Sequence, residues 1–195
     1  EENYILEHLL HINPKFKNPN YPIMLVKRIK EVSTTESTKL YKEIVAKGTF
    51  YEDFGKILQN CGVLEKNLDE NLIRKSAKNA TFSAFFSPNS SISYCEDAKS
   101  FKKVFPSVFG VFKMIKSTRG KHNTLAILLQ HLEATLVLHR ACKIISEERS
   151  EIPIFTLHDS IITTIGNENY VHDVLKNVLT NAIGIAPKLK VERWE

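Results

Sequence analysis

The sequence predicts an α+β protein, mainly helical, with one small antiparallel β-sheet. Three observations carry that prediction. Several segments show apolar residues at helical spacing and close on a glycine, notably before Gly48, Gly62 and Gly184. The run from Lys121 to Ser146 is apolar on nearly all faces, which suits a helix central to a domain. Two β-branched runs, IPIFTL and SIITTI, flank His158-Asp159 and favour strand.

The elements follow in order. Residues 4 to 12 (YILEHLLHI) read as a short amphipathic helix, closed by NPKFKNPNYP with its prolines. PIMLVKRIKEV is a helical or extended segment. Ser33-Thr34-Thr35-Glu36 offers a capping start to the helix STKLYKEIVAKG, and TFYEDFGKILQNCG forms the next. A longer helix starts near Asp69 and is stopped by Ser87-Pro88-Asn89; within it Phe85 and Phe86 suit core packing. Residues 96 to 116 read as helix broken near Pro106. In the central helix that follows, Gln130, Glu133 and His139 need partners if they are buried. Residues 152 to 166 predict a β-hairpin, because the join at His158-Asp159 is too short for anything but a tight turn and Asp tolerates such turns. YVHDVLKNVLTNAIG gives a last helix. KLKVERW gives a last strand, so the sheet is expected from the hairpin and residues 188 to 194.

Composition narrows the class. At 195 residues the chain has room for one or two small lobes with a real core. A net charge of +5 permits contact with nucleic acid, but the cations are spread along the chain and form no basic arm. Cys61, Cys95 and Cys142 are odd in number and make no C-x-x-C pair, which argues against a disulfide framework and a zinc site and fits a reducing cytoplasm. No apolar stretch is long enough for a membrane span. The first residues, EENYILEHLL, lack Met and already look structured, as expected of a piece of a longer protein.

Two motifs carry chemistry. In NLIRKSAKNATFSAFFSPN, Arg74, Lys78, Phe82 and Phe86 follow one another at intervals of four. On a helix they form one stripe, two cations followed by two rings. Cations suit phosphate oxygens and a ring suits a stacked base, so the layout fits a nucleoside triphosphate. The hairpin adds a carboxylate, Asp159, displayed at a rigid tip, as a Mg²⁺ ligand in phosphoryl transfer would be.

This order of motifs resembles the C-terminal region of family A DNA polymerases and of the related single-subunit RNA polymerases: a fingers helix, then the His-Asp hairpin of the palm, then a helix and a strand ending near Trp194. The resemblance implies a fingers-like helical region over residues 1–118, with its nucleotide-binding helix at 69–87, and a partial palm over 119–195. It implies that Arg74 and Lys78 hold the triphosphate and that Phe82 stacks on the incoming base. Phe86 stands where the family commonly has Tyr, which leans the substrate toward deoxynucleotides. Asp159 would ligate Mg²⁺ and His158 would meet the primer terminus. Gln130 would touch the minor groove, with Ala126 and His122 at its partner positions; Arg119, Lys121 and Asn123 would meet phosphate backbone. The implied partners are a DNA primer–template and nucleoside triphosphates, and the implied cofactor is a pair of Mg²⁺ ions. The second carboxylate that such a pair needs has no candidate strand before residue 74, since Asp53 and Asp69 sit in helical, polar surroundings. The expected parent is therefore a DNA polymerase, and the isolated chain is expected to be inactive. Ser160, in place of the Glu usual in the DNA enzymes, leaves a phage-type RNA polymerase as the alternative. A non-catalytic nucleic-acid-binding module that kept the fold is the other.

Overall fold

The computed structural model describes residues 20–117, 122–157 and 159–193. The expected helix at 4–12 lies outside them. The chain divides into two compact units, the first reaching to Leu128 and the second starting at Leu129. The fold is α+β as expected, mostly helical with one two-stranded antiparallel sheet.

Among the described residues the first unit holds six helices before the long one: α1 (Tyr21–Ser33), α2 (Glu36–Ala46), α3 (Phe50–Asn60), α4 (Glu70–Phe86), α5 (Glu96–Val104) and α6 (Pro106–Lys116), with a 3₁₀ segment at Asn89–Tyr94. The glycine stops fall where the sequence puts them. Gly48 and Gly62 follow α2 and α3 with φ of 70° and 67°, a region that costs glycine nothing. Pro106 opens α6 at its first position, where no amide donor is required. The capping start before α2 takes another form: the Thr35 hydroxyl donates to Val32 O, shares a hydrogen bond with the Thr38 hydroxyl and accepts from no helix amide. The core is aromatic. Phe54, Phe101 and Phe105 are fully buried, and Tyr41, Phe50 and Phe85 meet them edge-on, tilted or, for Phe50 on Phe105, stacked.

Helix α4 packs against α3 and α5 through small residues, its buried face being Ile73, Ala77, Ala80, Thr81 and Ala84. The approach to α3 is close enough to need glycine: a Cβ on Gly55 would sit 2.3 Å from Ile73 Cγ2 and 3.3 Å from its carbonyl oxygen.

The long helical run begins in the first unit and continues in the second as α7 (Thr124–Ala134), a π-helical segment (Thr135–Cys142) and α8 (Lys143–Glu148). Leu136 and Ala141, five residues apart, share its buried side, in step with i→i+5 bonding. Gln130, Glu133 and His139 are exposed rather than buried, so the expected need for internal partners does not arise. The run has more apolar residues than packing surface, which leaves Leu129 and Leu138 at 38% and 40% exposure.

In the second unit β1 (Ile154–Leu157) pairs with β2 (Ser160–Thr163), and α9 (Glu168–Ile183) ends on Gly184 at φ 78°. Leu136, Ala141 and Val178 form one buried cluster in this unit, with Ile161, Val174 and Leu175 against them. The expected third strand is not formed. Residues 185–193 carry no strand among those described, and Trp194 lies outside them. Pro187 removes a donor at the start of this segment. Its polar contacts are ion pairs, Lys190 with Glu192 and Arg193 with Glu168 (3.3 Å), where a strand would have made ladder bonds.

The α3–α4 contact gives a paired prediction. Gly55→Ala should destabilise the chain by roughly 1–3 kcal/mol through overpacking. Gly110→Ala, inside α6 where a Cβ meets nothing within 4 Å, should stabilise it by up to about 1 kcal/mol. Urea midpoints moving in opposite directions would bear this out; equal midpoints would show that Ile73 yields freely.

Candidate functional site

Arg74, Lys78, Phe82 and Phe86 lie on one uninterrupted helix and all four are exposed. Asp69 starts that helix, its carboxylate accepting from Asn71 N at 2.7 Å. The stripe covers about 18 Å at 1.5 Å per residue. Its inner side is filled by alanines, so the two rings are left outside: Phe82 is 43% exposed and Phe86 44%. Phe86 is therefore not core, and Phe85 alone of the pair packs inward, 4.7 Å from Phe112. The rings of Phe82 and Phe86 stand 5.7 Å apart at 60°, and Lys78 Nζ lies 5.4 Å from the Phe82 centroid. Lys78 makes no ion pair among the described residues.

Arg74 is held from α3. Its Nε donates to Glu52 Oε1 at 2.8 Å, and its guanidinium lies 5.5 Å from the Tyr51 ring centroid. The Arg74 hydrogen bond holds the Glu52 carboxyl below its ordinary range, while burial raises the Tyr51 phenol. Neither residue was visible as a partner in the sequence, because nothing local links an acid in one helix to a cation 22 residues later in another.

The far end of α4 is held from α6. Lys116, 2% exposed, donates to Ala84 O at 2.7 Å and to Ser87 O at 3.0 Å, meeting carbonyls that the helix end leaves without partners. Burial without a counter-charge lowers its ammonium to about 8. Asn89 Nδ2 ties the same corner to Lys113 O and Ser117 Oγ, at 2.9 and 3.0 Å.

In the second unit Leu157 pairs with Ser160, so the strands are joined by a tight turn that carries Asp159, as expected. His158 lies outside the described residues; Asp159 is exposed at the tip. A cavity of about 690 Å³ separates β2 and α9 from the 188–193 segment, with Asp159 and Glu168 among its lining residues. Glu168 is committed elsewhere, accepting from Gly166 N and from Arg193. No group of three residues suited to hold a metal occurs among those described. Asp53 accepts from Thr49 Oγ1 and Asp69 caps α4, so neither stands at a strand end. The described residues thus do not fit a Mg²⁺ pair, for want of a second carboxylate beside Asp159.

Gln130 is an exposed residue of the second unit, and Asn123 and His122 are exposed in the first. Arg119 and Lys121 lie outside the described residues. The structure therefore brings together the four α4 residues, while Asn123, Gln130 and Asp159 stand on other elements. No described helix is long and apolar enough to cross a membrane. No family model, curated protein or solved structure matches the chain.

Lys116 gives a prediction in pH. The folded chain loses this proton near pH 8 and the unfolded chain near 10.5, so between those values the unfolded state binds more protons and stability rises with pH. Tyr21 acts oppositely: its burial raises the phenol from 10.0 to about 12, and its stabilisation is lost as pH rises through that window. Subtracting a Lys116→Met variant isolates the lysine. The wild-type chain should gain stability over this variant from pH 7.5 to 9.5; parallel curves would mean that Lys116 keeps an ordinary ammonium.

Proposed function

We propose that the chain is the fingers-bearing part of a template-directed nucleotidyltransferase of DNA polymerase type, and that α4 binds the incoming deoxynucleoside triphosphate. The observation that carries this reading is the stripe itself: two cations followed by two exposed rings on one rigid helix. Arg74 and Lys78 are placed for phosphate oxygens, as charge-assisted donors. Phe82 and Phe86 offer faces for stacking, and every base has a face to stack. Exposed apolar residues scattered singly call for no account, whereas two adjacent rings beside two cations do.

Asp159 is read as one carboxylate of a catalytic pair whose other member is not among the described residues. Gln130 and Asn123 are exposed polar groups suited to the primer–template. Binding is therefore assigned to this chain, and chemistry to the chain together with whatever completes the Asp159 site.

Titration of the purified chain with a fluorescent dATP analogue tests the binding. Lys78→Ala and Arg74→Ala should each weaken it about five- to ten-fold, the worth of one charge-assisted contact at a half-exposed site. Phe82→Ala should cost a similar factor through lost stacking. The affinity should fall as salt rises. Lys78→Ala and Phe82→Ala with unchanged affinity would sink the assignment.

Primer extension tests the chemistry. The purified chain with Mg²⁺ and dNTPs should extend no primer, since Asp159 alone leaves a metal pair short of a bridging ligand. Extension abolished by Asp159→Ala would show that a carboxylate outside the described residues completes the site.

A further inference from the structure

Arg74 does not hang free in solvent. Glu52 occupies its Nε, and the Tyr51 ring lies close to its guanidinium. Both partners stand in the first turn of α3, and Gly55, one turn further on, is what lets α3 come this close to α4 beside Ile73. The two terminal nitrogens, the fork that matches a pair of phosphate oxygens, have no protein partner among the described residues. A carboxylate competing with phosphate for this arginine would have its best geometry on that fork. Glu52 instead takes the one donor that leaves the fork open.

We propose that Glu52 is a positioning residue for the triphosphate end of the α4 stripe, holding Arg74 by its Nε so that the terminal nitrogens meet phosphate. The proposal rests on the reading of α4 as a triphosphate-binding face. Glu52 brings a negative charge near an anion, which by itself weakens binding. Solvent screens that effect, because the Glu52 side chain is 47% exposed. Against it stands the rotamer freedom that an untethered arginine would lose on binding, which the Glu52 contact removes beforehand. Lys78 has no such tether, so the two cations of the stripe differ in how far they are ordered before a ligand arrives.

The test is a double-mutant cycle on the purified chain, read by displacement of a fluorescent dATP analogue with inorganic tripolyphosphate. Glu52→Gln should weaken tripolyphosphate binding about three- to five-fold in the wild-type background and leave it unchanged in an Arg74→Ala background. Displacement by deoxyadenosine, which lacks phosphate, should not move. The ¹⁵N-edited NMR signal of Arg74 Nε–H gives a readout independent of ligand: protected in the wild type, lost in Glu52→Ala, which removes the acceptor. Tighter tripolyphosphate binding by Glu52→Gln would make Glu52 a competitor and overturn the proposal, as would an equal loss in both backgrounds. If the Nε–H signal behaves as expected while the wild-type chain binds neither dATP nor tripolyphosphate, the triphosphate reading fails and Glu52–Arg74 is a contact of the fold alone. Tripolyphosphate binding that depends on Lys78 but not on Arg74 would uphold that reading and overturn the role of Glu52.

Discussion

The candidate site depends on the small inner face of α4. Among its five fully buried residues none is larger than Ile73 and three are alanines, and Phe85 is the one ring it turns inward. That lets α3 approach until Gly55 touches Ile73, and it leaves room for large rings contributed by the neighbours. Phe54 from α3, Phe101 from α5 and Phe105 just after it fill the space that the alanines leave. An ordinary amphipathic helix hides its rings and shows its small polar residues. Helix α4 hides Phe85 but shows Phe82 and Phe86, because its neighbours supply most of the core volume. Sheltering a phenylalanine is worth roughly 1.5–3 kcal/mol, so leaving Phe82 and Phe86 partly in water forgoes a sizeable stabilisation.

Each end of α4 is met by a group from another helix, and the two fixings differ in kind. At the N-terminal end Asp69 caps the first turn and Glu52 takes Arg74, both in contact with water. An exposed pair of this sort contributes at most about 1 kcal/mol to stability, so its role is geometric more than energetic. At the C-terminal end Lys116 carries its charge into a buried corner, where the helix dipole and two carbonyls receive it. The desolvation that pulls its ammonium down to about 8 measures what that corner costs. A helix held at both ends keeps its stripe in one arrangement, which is what a binding face built from rotamer-rich side chains requires.

The sequence made the elements legible wherever the signal was local. Glycine and proline stops placed the ends of α2, α3, α6 and α9, and the four-residue spacing placed Arg74 to Phe86 on one side of α4. The hairpin turn at His158-Asp159 followed from the β-branched runs on either side. What was hidden depended on partners distant in sequence. An apolar Phe86 looks like core until one knows that Ala80 and Ala84 already fill the inner side and that Phe85 takes the inward place. Gln130, Glu133 and His139 raised the question of buried partners because the run around them is so apolar, yet all three are exposed. The segment 188–193 alternates like a strand, and nothing in that alternation reveals that Arg193 is drawn to Glu168. Lys116 gave no warning, since a lysine at the end of an apolar helix ordinarily reaches water.

The two motifs differ in what they need to be chemically complete. The α4 stripe carries its own cations, its own rings and its own supports, all within the first unit. Asp159 stands on the tight turn between Leu157 and Ser160, which are already in the strands, so the turn itself offers one carboxylate and no second. Mg²⁺ gives up its waters reluctantly and only to ligands that replace them well. One exposed carboxylate does not, and Glu168, the acid that shares its cavity, is already engaged by Gly166 and Arg193. Under the proposed reading binding and chemistry are thus separable: the proposed nucleotide-binding face lies wholly within the first unit, whereas turnover would require a ligand that the turn does not supply.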